Sequence, residues 1–72
     1  MHQHFIDARG MEPPRPFELV MEALDHLESD GEIVLVLGRE PYPLYRVLEH
    51  NGYTHSTELR PDGALNIHIA HA

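Results

Sequence analysis

Seventy-two residues with 12 acidic side chains, five arginines, no lysine and a net charge of −7 make one small domain, burying about 60–65% of its unfolded surface. The acid excess repels a phosphate backbone and excludes nucleic acid as a default partner, although seven histidines, part-protonated near pH 6.5, soften the charge. The absence of cysteine excludes disulfides, thiolate catalysis and Cys-ligated metal sites.

No apolar run approaches the roughly 20 residues of a membrane span. The opening MHQHFIDARG has neither the basic start nor the apolar stretch of a signal peptide. A cytoplasmic location is expected. The hydrophobic fraction of 42% supports a core rather than disorder.

In chain order, His4–Ala8 reads as a short extended run ending at Arg9-Gly10. Residues 11–16 form a stiff loop, because Pro13, Pro14 and Pro16 fix φ and bar an ordinary helix. A helix is expected from Pro16, which suits a first turn. Phe17, Val20, Met21, Leu24 and Leu27 form its apolar stripe, and Ser29-Asp30-Gly31 ends it. Ile33–Leu37 is an unbroken run of β-branched residues and leucine, the pattern of a central strand. Gly38–Tyr42 is a second loop, and a second helix starts near Pro43 with Leu44, Val47 and Leu48 inward. Asn51-Gly52 suits either a helix cap or a hairpin turn; the preceding helical stripe favours the cap. Tyr53–Arg60 and Ala64–Ala70 are strands joined by Pro61-Asp62-Gly63. In the last strand Leu65, Ile67 and Ile69 alternate with Asn66, His68 and Ala70, predicting one dry and one wetter face.

The order β-α-β-α-β-β predicts a two-layer α/β (α+β) sandwich, a four-stranded mixed sheet with two helices on one face. This order and length resemble the TusA/SirA sulfur carriers over nearly the whole of residues 1–72. The most specific segment is Asp7-Ala8-Arg9-Gly10-Met11-Glu12-Pro13-Pro14-Arg15-Pro16-Phe17. Sulfur carriers have a glycine, two residues, then Cys-Pro-x-Pro opening the first helix. Here Pro14 and Pro16 keep that frame, and Pro13 stands where the nucleophile would be. The segment Glu40-Pro41-Tyr42-Pro43-Leu44 is similar to Asp-Pro-x-Pro-Leu in an uncharacterised branch of the superfamily, where a histidine precedes the acid; here that residue is Arg39. The resemblance implies the fold but not sulfur transfer, because a persulfide needs a thiolate.

Three constellations are candidates for function. At the carboxyl ends of the first two strands the proline loops meet both helix N-termini, and Arg9, Arg15 and Arg39 gather there. Such a pole suits a protein partner or a small anion. The candidate binding set is Arg9, Gly10, Glu12, Pro13, Pro14, Arg15 and Arg39. The competing expectation is that Asp7, Glu12 and Glu40 neutralise these arginines in surface pairs. The second constellation is His2, His4, His68 and His71. The resemblance implies a last strand antiparallel to the first with one strand between them, so these residues would lie roughly 10 Å apart at one pole. That spacing suits zinc or copper; otherwise they are simply exposed terminal histidines. The third is the open sheet face, where Val34 and Val36, or Ile33, Leu35 and Leu37, point outward beside Asn66 and His68. An apolar strip there suits a weak dimer, or is an ordinary half-buried sheet centre.

No carboxylate pair, nucleophile elbow or phosphate loop is marked by spacing, so no catalytic residue is assigned and an enzyme is not expected. The reading is a noncatalytic binding or regulatory module, without a cofactor, that meets a protein or small anion through the proline loops. The alternative is a metal-binding accessory protein using the terminal histidines.

Overall fold

A computed structural model describes residues 3–72; His2 of the predicted histidine set lies outside them. The elements are β1 (Gln3–Asp7), α1 (Arg15–Leu24), β2 (Glu32–Leu37), α2 (Tyr42–His50), β3 (Tyr53–Leu59) and β4 (Leu65–His71). The four strands form one mixed sheet in the order β1-β2-β4-β3. β1 runs parallel to β2, and β4 is antiparallel to both β2 and β3. The predicted α+β architecture is the observed one.

Strand alternation divides the sheet cleanly. Ile6, Ile33, Leu35, Ile67 and Ile69 share a core with Val20 and Leu24 of α1 and Leu44, Tyr45 and Leu48 of α2. Both helices therefore cover the same face, and β4 has its predicted dry side there. β2 is buried on both sides. Its other face presents Val34 and Val36, which are only 2% and 4% exposed although no second layer covers them.

Helix α1 stops a turn earlier than its apolar stripe predicts. After Leu24 the chain tightens into bonds from Asp25 N to Glu22 O, His26 N to Ala23 O and Leu27 N to Leu24 O. These three-residue spacings close the helix end and still leave Leu27 packed against the core. Gly31 fits closely where the chain turns into β2: a Cβ there would lie 2.9 Å from Leu27 Cδ1 and 3.3 Å from the Glu28 carbonyl, so the Leu27 side chain would have to shift. α2 ends in the predicted cap. The Asn51 side chain donates to the Val47 carbonyl, and Gly52 follows at φ +80°.

The β3–β4 turn is closed by an Arg60 N to Ala64 O bond of 2.8 Å and a Gly63 N to Arg60 O bond of 3.0 Å. The Asp62 carboxylate also accepts from the Ala64 amide. The hairpin predicted from Pro61-Asp62-Gly63 is present.

Candidate functional site at the proline-loop pole

The two proline loops run beside one another and enclose an open groove of about 800 Å³. Its floor is Leu35 and Leu37 of β2. One wall is Met11, Pro13, Pro14, Pro16 and Phe17, and the other is Pro41, Tyr42, Pro43 and Leu44, with Arg39 and Glu40 beside it. Five of the chain's six prolines thus line a single feature. Their fixed φ angles hold both walls without help from a partner. Large exposed apolar side chains cluster here too: Met11 (40% exposed), Phe17 (38%) and Tyr42 (64%) all stand on the groove.

Of the predicted binding set, Pro13, Pro14 and Arg39 line the groove. Gly10 takes the positive φ of +80° at the loop's turn, and Glu12 accepts the Arg15 amide through its carbonyl. Arg15 is exposed on the first turn of α1, outside the groove lining. Arg9 behaves differently from a free cation. Its guanidinium donates to Asp7 through Nε at 3.0 Å and one terminal nitrogen at 2.8 Å, while the other reaches Asp62 at 3.0 Å. Arg9 lowers the Asp7 pKa to about 2, chiefly through this side-chain bond, and the same pairing raises its own. It therefore ties the end of β1 to the β3–β4 turn; of the acids expected to neutralise the arginines, Asp7 does so, whereas Glu12 and Glu40 form no ion pair among the described residues. Arg15 and Arg39 form no ion pair among the described residues.

The helix N-termini offer less to an anion than the sequence suggested. Pro16 and Pro43 carry no N–H. Arg15 N bonds to Glu12 O, Glu18 N to Pro14 O, and both Leu44 N and Tyr45 N to Pro41 O. Among the described residues only the Phe17 and Tyr42 amides of the two first turns lack an acceptor.

Most of the apolar lining is not legible in the sequence: Phe17 falls on the core stripe of α1, and Met11 and Tyr42 fall in the predicted loops. The usable signal was that Met11 and Tyr42 are large apolar residues between prolines, with no helical or strand periodicity to bury them.

Among the described terminal histidines, His68 stands on the opposite face of the sheet from His4 and His71. His4 pairs with Ile33 and so lies on the helix side of the sheet, whereas His68 pairs with Val34 on the open face. His71 is on the helix side, with Nε2 3.0 Å from the Leu27 carbonyl and its ring against Tyr53. Among the described residues no group of three or more His, Asp or Glu side chains is placed to hold a metal.

A chain of polar side chains crosses the open face. Gln3 donates to Glu32 at 2.8 Å; His68 lies 3.5 Å from Glu32 through Nδ1 and 3.0 Å from Glu58 through Nε2. Asn66 donates to Glu58, and Arg60 donates to both Asn66 and Asp62. Asp62 then meets Arg9 and, through it, Asp7. In register, Val34 lies between Phe5 and His68, and Val36 between Asp7 and Asn66. The two valines expected at a dimer surface are thus buried, while Phe5, beside Val34, is 65% exposed on the same face.

Both ring nitrogens of His68 face carboxylates, and only the protonated imidazolium donates from both. Glu58 first, and Glu32 after it, raise the His68 pKa above 6.5 against the opposing effect of burial. The pairing thus stabilises the fold fully below about pH 6.5 and fades as pH rises through the raised value. Glu58, held below 4.5 by His68 and Asn66, contributes above that range and is lost on acidification. The melting temperature should therefore fall from about pH 6 to about pH 8 more steeply in the native protein than in His68→Gln. Parallel melting curves across that range would contradict this.

Among the described residues no helix is long and apolar enough to cross a membrane. Residues 5–71 match the model of a family described as uncharacterized conserved protein (DUF2249). No match was found among curated proteins. Among solved structures, a SirA-like protein from Desulfitobacterium hafniense is similar at 25% identity and a TM-score of 0.78, covering 96% of this chain and 95% of that one.

Proposed function

The chain belongs to the uncharacterized conserved protein family DUF2249, and from that premise we propose that it is a noncatalytic docking module that receives a protein partner in the groove between its proline loops. The fold is SirA-like and the chain has no cysteine, so a TusA-like scaffold remains without the thiol that sulfur transfer requires. The observation that carries the reading is the clustering of Met11, Phe17 and Tyr42 around walls built from five prolines. Exposed apolar groups gathered at one place mark a contact surface. Rigid walls reduce the conformational entropy that a partner's arrival would otherwise remove. In sulfur carriers the matching end is the one presented to partners, which supports the same choice here. A small anion has less to hold, since proline and loop carbonyls take up most first-turn donors. A cytoplasmic setting fits a domain this small with no disulfide.

A photo-crosslinking benzophenone side chain at position 42 should trap a discrete partner in the native host, and one at position 56 on the open face should not. Phe17→Ala combined with Tyr42→Ala should weaken that partner at least tenfold, because anchor residues dominate contact surfaces. Both side chains are exposed, so the stability loss should stay below about 1 kcal/mol. Arg9→Ala, by contrast, should retain the partner and lower stability. Equal adducts from both faces, or a partner unaffected by the double variant, would overturn the docking reading.

A further inference from the structure

Resting on that docking reading, we propose that the groove selects a partner segment in which a large apolar side chain is followed by a carboxylate, the carboxylate being taken by Arg39. The apolar half of the preference follows from the lining. Leu35 and Leu37 below and Phe17, Tyr42 and the prolines at the sides offer little to a polar side chain, which would lose water without regaining bonds. The acidic half follows from where charge is left over. Arg9 is held by Asp7 and Asp62, and Arg60 by Asp62 and Asn66. Glu40 lies beside Arg39 in the groove but makes no ion pair with it, and after burial it adds to the upward shift of the Tyr45 hydroxyl's pKa. Arg39 is therefore the one cation in the groove lining and forms no ion pair among the described residues, on a chain of net charge −7.

The net charge, acting at long range, favours a basic partner instead. Screening limits that field to about 8–10 Å at physiological salt. A contact at Arg39 is made beside apolar walls, where a charge-assisted bond to a carboxylate is about twice as strong as a neutral one and is often bidentate. The amides of Phe17 and Tyr42, the two first-turn donors left without an acceptor, belong to residues of the same groove and act in the same sense. The short-range terms decide, and they favour the acid.

The test uses the 72-residue protein and three blocked peptides, Gly-Phe-Leu-Glu-Gly and its Gln and Lys counterparts at the fourth position, followed by amide NMR shifts. Saturable shifts are expected at Phe17, Leu37, Arg39 and Leu44, with the Glu peptide at least tenfold tighter than the Gln peptide. Arg39→Gln should abolish the difference in affinity between the Glu and Gln peptides. Equal affinity for Glu and Gln, or preference for Lys, overturns the proposal while shifts in the groove uphold docking. No saturable shift with any peptide also overturns it, and the adduct at position 42 then decides docking by itself.

Discussion

Incubated with a cysteine desulfurase and its amino-acid substrate, the protein is expected to emerge with its mass unchanged. Persulfide transfer ends on a thiolate, and the chain has no cysteine; its three methionines are thioethers, which form no persulfide. The position that matches the carriers' nucleophile holds Pro13, an exposed residue of the groove wall. The scaffold around it is intact, with Pro14 and Pro16 in the carriers' frame and α1 beginning at Arg15. Pro13→Cys should therefore place an accessible thiol at the end of a helix whose dipole favours the thiolate, and this variant should gain one sulfur atom under the same conditions. Intact-mass spectrometry reads both outcomes. A sulfane adduct on the native protein would contradict the assignment of this chain as a docking module without sulfur chemistry.

The fold was legible because each element carried its own period. β2 read as a continuous apolar run, β4 as a strict alternation, and the Pro61-Asp62-Gly63 turn as a hairpin. Each of these signals is local, and each survives in the structure. The site was only partly legible because its decisive features are non-local. Nothing near Arg9 in sequence indicates that Asp62, 53 residues away, accepts from it. His4 and His68 looked like neighbours at one pole, yet a one-residue difference in register puts them on opposite faces of the sheet. The groove itself needs Met11 and Tyr42 to be brought together by two separate loops. Composition indicated prolines and apolar residues there, but not that they would face one another. The burial of Val34 and Val36 on an uncovered face was equally hidden, since it depends on a chain of polar side chains from Gln3 to Asp7 that crosses all four strands.

Replacing Leu35 with alanine should remove a large share of the protein's stability. Leu35 is fully buried, lies in register between Ile6 and Ile67, and is shared by the helix-side core and the groove floor. Removing a buried leucine side chain costs about 2–5 kcal/mol, the upper part of that range where the surroundings cannot collapse. Here they are a central strand held by neighbours on both sides, so little collapse is available. Total stability for a chain of this size is roughly 4–11 kcal/mol, and each kcal/mol lost lowers the melting temperature by about 4–8 °C. Leu35→Ala should therefore melt roughly 10–30 °C lower, read by circular dichroism. Val36→Ala, one residue along but beneath the polar chain of the open face, should lose less than half as much. The same reasoning shows why the groove must be probed at its rim. A change at Leu35 would abolish docking by melting the strand that carries the floor, whereas Phe17, Arg39 and Tyr42 are exposed and can be altered with the fold in place. If Leu35→Ala instead cost under about 1 kcal/mol, β2 would not be the shared foundation of core and groove, and the groove's rigidity would have to come from the prolines alone.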